Sequence, residues 1–163
     1  MKRFRTLQWT WGAFVAAVAV YAAMAYVVLQ RSAGSALPTQ PMSLVALLVA
    51  MAVGVFGVAL YFHQSRWRPL CDEALKRVWA GRLADAANAQ SVTTRLHGHA
   101  VVIMALCEAP AIFGLQLALM RAPAPLAIWG LMAATIAALF WFYWYGISAA
   151  ADIFQHAERI AGP

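Results

Sequence analysis

His99-Ala-Val-Val-Ile-Met-Ala-Leu-Cys-Glu108-Ala-Pro110-Ala-Ile-Phe-Gly114-Leu-Gln-Leu-Ala-Leu-Met120 is the stretch whose reading decides this fold. As a helix rising about 1.5 Å per residue it spans the ~30 Å hydrocarbon core of a bilayer. Glu108 then lies roughly 13 Å from His99 and 18 Å from Met120, near the midplane. An acid at that depth is costly, and marks a candidate functional position by default.

The rest of the composition agrees with a membrane reading. Hydrophobic residues make up 64% and charged residues 11% of the 163 positions, and the mean hydropathy is +0.69. A soluble domain carries nearer 25% charged residues. The net charge of +6 sits in short segments beside apolar runs, as orientation signals do. No zinc-ribbon, helix-turn-helix or aromatic-basic RNA pattern accompanies it, so nucleic acid is not an expected partner. Cys71 and Cys107 form no disulfide framework and read as small apolar fillers.

The chain opens with Met1-Lys-Arg-Phe-Arg5 and an apolar run over 9–29. That run is too long for the core of a signal peptide, so it is read as an uncleaved first span. Trp9 and Trp11 are placed at headgroup level. A Ser-, Gly- and Pro-rich linker over 30–41 precedes a second span over 42–62, where Ala46, Ala50, Gly54 and Gly57 give one smooth face. The polar segment 63–98 holds Pro69 as a helix start, with Asp72 and Glu73 in the first turn. Leu70, Ala74, Leu75, Val78, Trp79, Leu83 and Ala86 then predict an amphipathic cytoplasmic helix over about 69–87. Residues 88–94 read as a solvated connector. The third span, 99–120, is followed by a Pro-stiffened turn and a fourth span over 126–148. The aromatic run 140–145 forms an interfacial belt there, and 152–163 reads as a frayed amphipathic tail. The fold class is all-α: one domain over 1–163, with four transmembrane helices.

Basic residues set the expected orientation. Lys2, Arg3, Arg5, Arg66, Arg68, Lys76, Arg77, Arg82, Arg95 and Arg159 fall on one side of a four-span chain, and only Arg31 and Arg121 on the other. The positive-inside rule puts both termini and the central segment in the cytoplasm, and the expected location is a bacterial inner membrane.

Glu108 is the leading site candidate, as an ion- or proton-binding acid or as a packing bond. No Lys or Arg lies inside a span to pair with it. Pro110 removes the amide that the Leu106 carbonyl would otherwise bond, which frees a local polar partner. The segment 105–115 resembles the carboxylate-bearing helix of rotary ATPase proteolipid ring subunits, in its order of acid, Pro, aromatic and Gly. That resemblance implies an ion-carrying role for Glu108 and nothing for other residues. It stops short of a glycine-repeat helix, since the second span offers only Gly54 and Gly57, and of a short polar loop. The chain also resembles uncharacterised small bacterial inner-membrane proteins with an Arg…Ala-Leu-x-Glu…Phe-Gly-Leu helix, here Arg95 to Leu115, a likeness that implies no activity.

His63, His97 and His99 lie near helix ends and are the candidate metal ligands. His97 and His99 point to different helix faces, however, and no carboxylate completes a set, so neither metal nor cofactor is expected. No nucleophile elbow, His-Glu-x-x-His motif or phosphate loop is present, and an enzyme is not expected. Trp79, Val78, Leu75 and Leu83 are the candidate surface for a partner or the lipid headgroups. Two roles stand side by side. One is a structural or assembly component, self-associating or part of a larger membrane complex, with Glu108 fixing helix packing. The other is a proton- or cation-coupled transporter or ring-like ion carrier using Glu108.

Overall fold

The computed structural model describes residues 2–32, 42–79, 86–120, 122 and 124–161. Its helices are α1 (Lys2–Ser32), α2 (Met42–Phe62), α3 (Arg68–Trp79), α4 (Ala86–Leu119), α5 (Pro125–Phe142) and α6 (Ala151–Ala161). Two π-helical turns, His63–Trp67 and Tyr143–Ile147, join α2 to α3 and follow α5. Four segments are long and apolar enough to cross a membrane: Phe4–Arg31, Met42–Val78, Asn88–Leu119 and Pro125–Ile147. The chain is thus a multi-pass α-helical membrane protein. Of the predicted linker, residues 33–41 lie outside the described residues, as do Arg82 and Leu83 of the predicted amphipathic helix.

The central polar segment differs from the sequence reading in three ways. Pro69 lies in the first turn of α3, but that start is not free, because α2 runs through a π-helical turn directly into α3, with the Arg68 amide donating to the His63 carbonyl. A wider turn immediately before a proline is a common accommodation for its missing amide and bulky ring. Residues 80–85 lie outside the described residues, and Ala86, the last position of the predicted amphipathic stripe, belongs to α4. Finally, residues 88–94 are helical, so α4 reaches back at least 13 residues before His99.

That extension of α4 was hidden by polar side chains that bond back into their own helix. Thr93 Oγ1 donates to the Ala89 and Gln90 carbonyls, and Thr94 Oγ1 to the Gln90 carbonyl, at 3.0, 3.0 and 2.8 Å. The buried positions Ala89, Thr93, Leu96, Ala100, Ile103 and Cys107 recur at alternating intervals of four and three. This is the stripe of a helix packed along its whole length.

The continuous segment Met42–Val78 covers 37 residues, or about 55 Å, well beyond a ~30 Å core. The excess forms a second layer: α3 and the start of α4 protrude together and pack with α6. Cys71 and Ala74 face inward there, while Asp72, Glu73, Lys76 and Arg77 are exposed, with an ion pair from Arg77 to Glu73 one turn back. The tail is not frayed over α6. Ile153 and Phe154 are fully buried, and the Phe154 ring lies 6.1 Å from that of Phe4 on α1.

Candidate functional site around Glu108

α4 is the hub of the bundle, packed against α5, α1 and α2, whereas α1 and α2 scarcely meet. This arrangement leaves one strip of α4 open between them, carrying Gly98, Val102, Ala105, Ile112, Gln116 and Leu119. On the opposite side Gly114 sits against α5. A Cβ at that position would meet the Ile128 carbonyl oxygen at 3.0 Å and the Leu131 Cβ at 3.4 Å. Gly114 is therefore a close-approach point of two backbones rather than a simple gap in a helix face.

Glu108 stands at the α1 edge of the open strip, half-buried. Its neighbour on α1 is Tyr21, also half-buried, whose hydroxyl lies within electrostatic reach of the Glu108 carboxyl across the α1–α4 interface. The sequence contains a signal for this pair. Tyr21 is a polar-tipped aromatic in the middle of the first span, not at its ends where such rings usually sit. Thr6 and Thr93 line one cavity between α1 and α4, and Tyr21 and Glu108 each follow by the same number of residues on parallel helices. Depth was thus readable, but that α1 and α4 are neighbours was not. Pro110 is buried and lies two positions on, facing a different side from Glu108. Leu106 is half-buried against the core.

The histidines do not converge. His63 is 1% exposed, its ring 4.8 Å from Trp141 and 6.0 Å from Phe142, and its Nε2 has no hydrogen-bond partner among the described residues. Phe142 also holds Trp67 at 5.4 Å. That ring can lie flat on its helix only because position 146 is glycine, where a Cβ would come within 2.5 Å of it. His99 Nδ1 lies 2.9 Å from the Arg95 carbonyl oxygen of its own helix. His97 is half-buried, beside Thr93 and Thr94. Among the described residues no three His, Cys, Asp or Glu side chains converge as metal ligands.

Of the predicted partner surface, Leu75 packs against the main core. Val78 packs against Ala89 and Ala157. The Trp79 side chain lies outside the description, as Leu83 does. Outside the spans, burial and the neighbouring Asp72 push the Cys71 thiol up to about 12.

Compared with known proteins, the chain matches no family model, no curated protein and no solved structure.

Proposed function

We propose that this protein is a small structural or assembly component of a membrane, in which a hydrogen bond from the Tyr21 hydroxyl to the Glu108 carboxyl fixes the packing of α1 on α4. The observation that carries this reading is a pairing: Glu108, near the middle of its span, has the Tyr21 hydroxyl of another helix of the same chain within reach of its carboxyl. Replacing an unsatisfied carboxyl with a hydrogen-bonded one lowers the cost of holding it in hydrocarbon. The outward face of α2 supports association with a second copy or a larger complex. Ala46, Ala50, Gly54 and Gly57 are all exposed, and nothing lies within 4 Å of where either glycine's Cβ would stand. Such small-residue faces let helices approach closely in lipid. The basic end is assigned to the cytoplasm of a bacterial inner membrane by the positive-inside rule.

One observation favours a second reading. Glu108 borders a strip of α4 that is open between α1 and α2, with the Gln116 amide exposed further along it. A carboxyl so placed, on a helix that resembles the ion-carrying helix of ring subunits, has access from the side and could exchange a proton or cation.

Glu108→Gln separates the two. It keeps size and can still accept from Tyr21, but it cannot ionise, so the purified variant should keep its stability and oligomeric state. Tyr21→Phe removes the donor, and should destabilise the α1–α4 contact by about 0.6 kcal/mol, and by no more than ~1.7. Proton or cation flux in vesicles that is present in the wild type and abolished by Glu108→Gln, with assembly intact, would replace the structural reading with the transport one.

A further inference from the structure

A groove of about 530 Å³ lies between the first turns of α1 and the π-helical turn after α5, lined by Arg5, Gln8, Trp9, Trp11, Gly12 and Tyr143. Its inner wall is held in place. Trp11 Nε1 donates to the Leu139 carbonyl at 3.1 Å, and the Trp11 ring lies 4.5 Å from Tyr143 and edge-on to Phe140 at 5.2 Å. Gly12 keeps the space beside it open, with nothing within 4 Å of where a Cβ would be.

The polar rim consists almost entirely of donors. Gln8 Nε2 donates to the Tyr143 hydroxyl oxygen at 3.4 Å. That leaves the hydroxyl hydrogen and the second amide hydrogen of Gln8 for another acceptor. Arg5 is exposed and adds five donors and a fixed positive charge. Among the described residues no carboxylate lines the groove, so a cationic headgroup finds no counter-charge there. The depth is set by aromatics: Trp9 is 79% exposed and Trp144 71%, as expected of rings at the headgroup level. The rim therefore meets the plane of lipid phosphates, and the apolar wall continues toward the acyl chains.

We propose that this groove binds one anionic phospholipid, its phosphate on Arg5 and the Tyr143 hydroxyl, and one acyl chain along the Trp11 and Gly12 wall. The complementarity is that of a phosphodiester of net negative charge, recognised by a guanidinium and neutral donors.

The test is native mass spectrometry of the full chain in detergent, titrated with phosphatidylglycerol or phosphatidylcholine. Retention of one phosphatidylglycerol per chain is expected, at least about tenfold tighter than phosphatidylcholine. Arg5→Gln should remove that preference. Tyr143→Phe, which keeps the ring on Trp11, should weaken it severalfold. Arg66→Gln, at the same end but outside the groove, should leave it unchanged. Equal binding of the two lipids, or equal losses in Arg5→Gln and Arg66→Gln, overturns the proposal in favour of general attraction to a basic surface. Displacement of phosphatidylglycerol by glycerol 3-phosphate at equal concentration overturns it in favour of a soluble phosphate ester. Arg5 is exposed, so Arg5→Gln should unfold at the wild-type midpoint, and Arg5→Lys should restore part of the preference.

Discussion

Gly114→Ala tests the α4–α5 contact directly. The added methyl would sit 3.0 Å from the Ile128 carbonyl oxygen, 3.4 Å from the Leu131 Cβ and 3.5 Å from the Met132 Cγ. The first of these is backbone within α5 and cannot rotate away, so the two helices must separate by a few tenths of an ångström. Inserting a methyl into such a contact costs roughly 1–3 kcal/mol. Alanine gains up to about 1 kcal/mol over glycine in helix propensity, so Gly114→Ala measured alone understates the packing cost. Gly130→Ala supplies the reference. Gly130 is an exposed helix position on α5 with nothing within 4 Å of its missing Cβ, so that variant reports propensity alone. The difference between the two unfolding free energies, measured by circular dichroism in mixed micelles of rising denaturing-detergent fraction, should be about 1–3 kcal/mol against Gly114→Ala. Gly114→Leu should fail to hold α5 at all. If Gly114→Ala proves as stable as Gly130→Ala, the close approach at Gly114 does not exist and the α4–α5 packing described above is wrong.

Other outcomes follow from the same packing. The Cys71 thiol is buried, and its titration is displaced from 9.0 to about 12, so maleimide should label it in the unfolded chain but hardly in the folded one at pH 7; rapid native labelling would refute its placement. The same shift makes stability fall with alkali. It is full below pH 9, where both states hold the proton, and is lost between about 9 and 12 as the unfolded thiol ionises first; Cys71→Ala should flatten that part of the profile. Phe154→Ala, removing a ring with no exposure, should cost about 3–5 kcal/mol and release α6 to proteolysis; an unchanged midpoint would return the tail to a frayed extension. His63→Phe removes a buried nitrogen that lacks a partner among the described residues, so it should be neutral or stabilising by about 1 kcal/mol, and a clear loss in the unfolding midpoint would show that Nε2 is bonded.

Four spans, their order and their shared basic end were legible in the sequence, because each depends only on the length of an apolar run and the charges beside it. Helix type over 88–94 was not, because Asn88, Gln90, Ser91, Thr93 and Thr94 are polar by composition, whereas in the structure the Thr93 and Thr94 hydroxyls bond back into their own helix and Ala89 and Thr93 are buried. The depth of Glu108 was likewise a property of one helix counted from one end. Its partner was a property of two. Nothing in the local sequence says that α4, rather than α2, lies against α1, since lipid and protein are equally apolar surroundings for a hydrophobic face. Only the tertiary arrangement, with α4 at the hub and α1 and α2 apart, brings Tyr21 to Glu108, turns Gly114 onto Ile128, and leaves the small face of α2 looking outward. Hydropathy gave this chain its spans, and packing between helices, which hydropathy does not encode, chose which side chains meet.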